Sequence, residues 1–222
     1  MRYAVFSDVH ANLPALERFI ELTRPEVDAY ICLGDVVNYG PWNDECLDLV
    51  TALPGIVYVE GNHERLFRGD ESVSEEIPLV QAFFEHSFES FTRREAIESL
   101  PVEFETGGFC FTHTLDDQKI FADSEVTFSR DYFIGHSHHQ FQIERGGHTL
   151  INCGSVGQNR KLIDLSHYAM FDTDTGVVEL RESTFDFEAF MNELRARKYP
   201  QHCIEYYAKK SRRAAARPAA TI

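Results

Sequence analysis

Apolar residues in this chain gather into short unbroken runs at 3–6, 29–33, 56–59, 109–111, 132–134 and 149–151, each followed by a polar stretch. Runs this short read as strands buried on both faces. Between the early runs the period changes. Leu13, Leu16, Phe19 and Ile20, and then Cys46, Leu47, Leu49 and Val50, repeat at the spacing of a helix with one apolar face. Pro14 fits the first turn of such a helix, where its missing N–H has no partner to lose. Strand and helix alternate, which is an α/β pattern. Later, Phe141, the run 168–171 and the run 177–180 are separated by the turn formers Gly146-Gly147 and Asp174-Thr175-Gly176, as in antiparallel strands. The predicted architecture is α/β, a sandwich of sheets flanked by helices, in one domain over residues 1–205.

Two stretches stand apart from that pattern. Residues 65–100 are charged and rich in Phe, with Leu79, Val80, Phe83, Phe84, Phe88 and Phe91 at helical spacing. They read either as a small helical insertion packed on the domain or as a cap that recognises a ligand. Residues 206–222, with Lys209-Lys210-Ser211-Arg212-Arg213 followed by Ala, Pro and Thr, have the composition of a mobile basic tail, either solvated or serving as an arm for anions or a partner.

Composition narrows the class of partner. A formal net charge of -15 repels long polyanions, so nucleic acid is a disfavoured partner. Part of that excess vanishes if some of the aspartates hold metal cations. The first apolar run stops at Ser7-Asp8, too early for a signal peptide, and no run approaches the roughly 18 apolar residues of a membrane span. Five cysteines, odd in number and without a Cys-x-x-Cys pair, argue against a disulfide framework or a thiolate zinc site. A cytoplasmic protein without membrane partners is expected.

The residues that carry chemistry sit just beyond the predicted strands. Asp8-x-His10 comes after the first run, Gly34-Asp35 after the second, Gly61-Asn62-His63-Glu64 after the third, Thr112-His113 after the fourth and Gly135-His136-Ser137-His138 after the fifth. Each motif alone is an ordinary turn or strand end. Together they converge, because residues just past the carboxyl ends of strands in an α/β sheet meet in one crevice. So many carboxylates and imidazoles in one place are destabilising unless cations satisfy them. A thiolate-free set of His, Asp and Asn suits divalent Mn, Fe, Co, Ni or Zn.

This motif set, from Asp8-x-His10 to Gly135-His136-x-His138, resembles that of the calcineurin-like metallophosphoesterases over residues 3 to about 160, and Asn152-x-Gly154-Ser155-Val156-Gly157 resembles the strand and loop after the last motif in small prokaryotic phosphodiesterase members. The resemblance implies a four-layer α-β-β-α sandwich holding two divalent ions. It implies that Asp8, His10 and His138 ligate one, that Asn62, His113 and His136 ligate the other, and that Asp35 bridges them. Such a pair generates hydroxide at neutral pH for in-line attack on phosphorus. His63 matches the family's non-ligand histidine, which donates to the leaving oxygen; the alternative is a histidine that only orients Asn62 or a bound water.

The sequence departs from the protein-phosphatase pattern Gly-Asp-x-x-Asp-Arg-Gly, reading Gly34-Asp35-Val36-Val37-Asn38-Tyr39-Gly40. Asn38 stands where the carboxylate behind the histidine would be, able to accept from His63 but a weaker support for its protonated form. Tyr39 stands where the phosphate-binding arginine would be. Arg160 is either a substitute phosphate contact or an ordinary loop arginine. Tyr39 and Trp42 either stack on a substrate or cap the core. With no other basic clamp in view, a small-molecule phosphodiester is the expected substrate. The alternatives are a phosphomonoester, including a phosphoprotein or a dinucleoside polyphosphate, and a noncatalytic scaffold of the same fold.

Overall fold

The computed structural model describes residues 1–213. Ten strands run in chain order: β1 (Arg2–Phe6), β2 (Ala29–Cys32), β3 (Val57–Tyr58), β4 (Glu103–Thr106), β5 (Phe109–Thr112), β6 (Asp131–Ile134), β7 (Phe141–Arg145), β8 (His148–Asn152), β9 (Leu165–Asp172) and β10 (Val178–Thr184). Six α-helices accompany them: α1 (Leu13–Thr23), α2 (Asn43–Thr51), α3 (Asn62–Arg68), α4 (Pro78–Phe88), α5 (Phe187–Ala196) and α6 (Gln201–Ala208). The strands form two five-stranded sheets, ordered β10-β9-β1-β2-β3 and β4-β5-β6-β8-β7. The pairs β1·β2 and β2·β3 are parallel, as are β5·β6 and β6·β8, so the strand ends that carry the polar motifs point the same way within each sheet. The pairs β7·β8 and β9·β10 are antiparallel, as the turn signals after residue 140 predict.

The sheets pack face to face because alternate residues of a strand point to opposite sides. Tyr3, Val5, Ile31 and Leu33 of the first sheet meet Phe111, Phe133 and Ile151 of the second, with Phe171 completing the layer. Phe111 and Phe133 stack with centroids 4.9 Å apart. Each such fully buried side chain contributes roughly 1.5–3 kcal/mol. On the other face of the first sheet Ala4, Phe6, Tyr30 and Cys32 pack against Leu16 and Phe19 of α1 and Leu47 and Val50 of α2. Asn12 caps α1 by accepting from the Ala15 N–H at 3.3 Å.

Three further regions complete the fold. The outer face of the second sheet carries the connection between β5 and β6, whose Leu115, Ile120, Val126 and Phe128 pack on Ile134, Phe141 and Leu150. The apolar residues of that connection are too sparse for a helical stripe, yet suffice to cover a short sheet. Within residues 65–100, α4 lies between two 3₁₀ turns at Val73–Glu75 and Arg94–Ile97. Phe67, Phe84, Phe88 and Phe91 pack on one another, Phe84 stacking on Phe88 at 4.5 Å, and join the core cluster that includes Leu47, Val50 and Tyr58. Finally, residues 206–208 belong to α6 and not to a tail, because Tyr207 is buried against Phe190 of α5 at 4.8 Å. Arg212 and Arg213 pair with Glu188 and Glu182, and residues 214–222 of the expected tail lie outside the described residues. All five cysteines are free and buried, and no helix among the described residues is long and apolar enough to cross a membrane.

Candidate metal centre

The polar loops after β1, β2, β3, β5 and β6 meet at one end of the sandwich. Their backbone is tightly turned: Asp8, His10, Asp35, His136 and His138 all have φ between 49° and 64°, a region that L-residues adopt only where the surroundings impose it. Hydrogen bonds between the loops impose it here. Asp8 N–H donates to Gly34 C=O and His10 N–H to Asp35 C=O, both at 3.0 Å. The carboxylate of Glu64, fully buried, accepts from Asp35 N–H (2.7 Å), Val36 N–H (2.7 Å) and Gly61 N–H (2.8 Å), so one side chain at the start of α3 ties down the loop that presents Asp35.

Seven side chains point their donor atoms inward in two groups. In the first, His10 Nε2 and His138 Nε2 lie 3.2 Å apart, and Asp8 Oδ1 is 3.7 Å and 3.2 Å from them. In the second, His113 Nε2 lies 3.2 Å from Asn62 Oδ1, 3.1 Å from His136 Nδ1 and 3.3 Å from Asp35 Oδ2. Asp35 Oδ2 is also 4.0 Å from His10 Nε2, which puts it between the groups. Tautomers are fixed from behind. His10, His138 and His113 each turn Nδ1 to a backbone carbonyl, of Val37 (3.2 Å), Gln158 (2.7 Å) and Leu33 (2.7 Å). A carbonyl only accepts, so in each neutral ring the proton is on Nδ1 and the Nε2 lone pair faces the centre.

Lone pairs aimed at one another at such distances repel, and Asp8 Oδ1 is buried without any hydrogen-bond partner among the described residues. A divalent cation resolves both defects, and the nitrogen and oxygen donor set is one that such metals accept. In the metal-free site protons compensate partly. Burial opposes protonation of His113, but Asp35 outweighs it and raises its pKa to about 9. Burial likewise opposes ionisation of Asp35, yet His113 and His63 hold that carboxyl well below its usual range. Burial lowers His136 to about 4.

His63, on the first turn of α3, stands back from both donor groups; its Nε2 is 3.9 Å from Asp35 Oδ2. Its Nδ1 lies 3.1 Å from Asn38 Nδ2. The direction of that bond is the reverse of the one expected. Asn38 Oδ1 already accepts from Tyr39 N–H at 2.8 Å, which leaves the amide NH2 to face the ring. Asn38 therefore donates, His63 Nδ1 accepts, and the single ring proton is on Nε2. Burial agrees with a neutral ring, pulling its pKa down to about 3.

A cleft of about 630 Å³ opens over the donors, lined by Asp35, Asn62, His63, His136 and His138 on its floor. Arg160 also lines it, with Nη2 3.4 Å from His138 Nε2, so this arginine reaches the site. Tyr39 lines the cleft and packs edge-on against His10 and His63. Trp42 does not line it and packs instead on Phe190. Residues not singled out from the sequence also contribute: Lys119 and Phe121 from the β5–β6 connection, Ile77 from the insertion and Tyr206 from α6. Of these only Lys119 and Phe121 had a signal, a cation and an aromatic in a polar stretch following a candidate ligand.

A sequence model of the calcineurin-like phosphoesterase superfamily domain matches residues 1–176. The chain belongs to that superfamily. Among solved structures, a metallophosphoesterase from Sphaerobacter thermophilus is similar with a TM-score of 0.77 and 26% identity, covering 94% of this chain and 98% of that one. A hypothetical protein from Pyrococcus horikoshii OT3, PH1004, shares the fold with a TM-score of 0.80 at 18% identity, over 93% and 97% of the two chains. An uncharacterized protein of Methanocaldococcus jannaschii, MJ0912, is 25% identical over 89% of this chain and 93% of its own. For this calcineurin-like phosphoesterase, the matched part holds every residue of the two donor groups, and α5 and α6 lie beyond it.

Proposed function

We propose that this chain is a metal-dependent hydrolase of small organic phosphate esters. In this reading Asp8, His10 and His138 hold one divalent cation, Asn62, His113 and His136 a second, and Asp35 is shared. The observation that carries it is the convergence of three imidazole lone pairs on two buried carboxylates, with each ring pinned from behind by a backbone carbonyl. Divalent cations in such a site acidify water and offset the charge on phosphoryl oxygens. The chain's own residues supply the rest. His63, kept neutral by burial and by the Asn38 amide, offers Nε2–H as a donor to the ester oxygen that departs. Tyr39 braces His63 and His10 and is a wall of the cleft.

The expectation of a diester rested on the lack of a basic clamp, and Arg160 supplies one. A monoester dianion has three non-bridging oxygens, enough for a guanidinium to engage one beyond those facing the cations, whereas a diester has two. A phosphomonoester is therefore the favoured substrate. The diester is the second reading, supported by a cleft roomy enough for ester groups on both sides of phosphorus.

The test is hydrolysis of phenyl phosphate and diphenyl phosphate by metal-stripped protein with Mn, Co, Ni, Zn or Mg restored. Turnover is expected only with metal, with kcat/KM higher for the monoester, and His63→Ala should lower kcat by about 10²–10⁴-fold. Metal binding without turnover of either ester would leave the scaffold reading in its place.

A further inference from the structure

Arg160 is half-buried beside a cluster of histidines, yet it forms no ion pair within 4.0 Å with any carboxylate among the described residues. Arg65 and Arg68, on the neighbouring helix, each pair with two acidic residues. In a chain with a net charge of -15, a guanidinium left without a carboxylate in a cleft is a receptor waiting for an anion. Its position is set by another residue. Arg160 Nη1 donates to the hydroxyl of Tyr206, while Nη2 stays within 3.4 Å of His138 Nε2 at the edge of the candidate metal centre.

Tyr206 is itself fixed. Its ring lies nearly parallel to that of Tyr39, with centroids 6.5 Å apart, meets the edge of Phe83 at 6.2 Å and holds Lys210 Nζ 4.5 Å from its centroid. The next residue of α6 makes a second link to the same loop. Gln158 donates from Nε2 to Tyr207 Oη at 2.9 Å, and the Gln158 carbonyl is the one that fixes the tautomer of His138. A helix outside the family-matched region thus grips the 158–160 loop at two points, one behind the ligand and one at the free cation.

We infer that Tyr206 is the positioning residue for Arg160, holding the guanidinium where it receives the non-bridging phosphoryl oxygen that faces away from the metals. The inference rests on the phosphoester reading for the identity of the anion, and it makes α6 a part of phosphate recognition.

Inorganic phosphate is the probe, titrated calorimetrically into metal-loaded full-length protein. Tyr206→Phe keeps the ring and its stacking and removes only the hydroxyl. It should weaken phosphate binding about 10-fold, Arg160→Gln should weaken it about 100-fold, and the double variant should be no weaker than Arg160→Gln alone, because Tyr206 acts through Arg160. In turnover of phenyl phosphate the same changes should appear in KM more than in kcat. Unchanged phosphate affinity in Tyr206→Phe, or losses that multiply in the double variant, would overturn the inference. So would a loss of bound metal in Tyr206→Phe, which would make Tyr206 a support of the ligands. If no ester is hydrolysed but the phosphate losses match the expected pattern, the positioning stands and the hydrolase reading falls; if esters are hydrolysed and the pattern is absent, the reverse holds.

Discussion

Glu64 shows how one side chain can serve the metal centre without touching it. Its two oxygens accept four backbone N–H groups, of Asp35, Val36, Val37 and Gly61, from two loops, and burial together with the nearby Asp35 pushes its pKa up against the pull of those donors. Glu64→Gln keeps the volume but turns an NH2 group toward N–H donors. It should cost about 1–3 kcal/mol in thermal or denaturant unfolding, and metal affinity should fall about 10–100-fold, as for other residues that orient a ligand from behind. A titration of the metal-free variant that matched the wild type would show that the Asp35 loop holds its shape unaided. The Asn38–His63 contact carries a second lesson at this scale. Which two residues meet was legible in the sequence. The direction of the hydrogen bond was not, because it depends on the Tyr39 N–H, a backbone group whose aim is set by the positive φ of Asn38 and Tyr39.

At the scale of elements, the legible parts are those whose burial is uniform. Continuous apolar runs marked β1, β2, β5, β6 and β8, and the helical period marked α1, α2 and α4. β4 escaped because Glu103, Phe104, Glu105 and Thr106 place one large apolar residue in an edge strand. α5 had a readable stripe in Phe187, Phe190, Met191 and Leu194, all buried and at the spacing of a helix with one apolar face. The ligand loops could be located but not shaped, since their form depends on contacts between segments far apart. Gly157 is an instance: a Cβ there would lie 1.7 Å from the Val9 carbonyl oxygen, so the loop after β8 can cross the loop after β1 only as glycine. Gly157→Ala should destabilise the protein by about 1–3 kcal/mol through forced separation of the two loops. A melting temperature equal to the wild type's would show that the crossing can widen at no cost.

For the molecule as a whole, the buried histidines and aspartates make stability depend on pH in the metal-free state. His63 and His136 have pKa values lowered from 6.5 to about 3 and about 4, so their contribution is complete above pH 6.5 and is lost as pH falls through those values. Asp35 is lowered from 3.8, so its contribution disappears at still lower pH. His113, raised to about 9, works the other way: its contribution is complete below pH 6.5 and is lost as pH rises through 9. The unfolding temperature of the metal-free protein should therefore peak near pH 6.5 and fall on both sides, and saturating divalent metal should flatten the alkaline side by replacing the proton on His113. A profile that is flat from pH 5 to 9 without metal would mean that these groups titrate alike in the folded and unfolded chain.

The connection between β5 and β6 does two jobs with neighbouring residues. Ile120 is sunk among Ile134, Phe141 and Leu150, while Lys119 and Phe121 on either side of it line the cleft. Such alternation separates what anchors the segment from what it displays. Positions 119 and 121 can be exchanged as a cassette to retune which molecules are admitted, with residue 120 keeping the graft seated, so that variation in this lineage need not trade a new diet for a weaker fold.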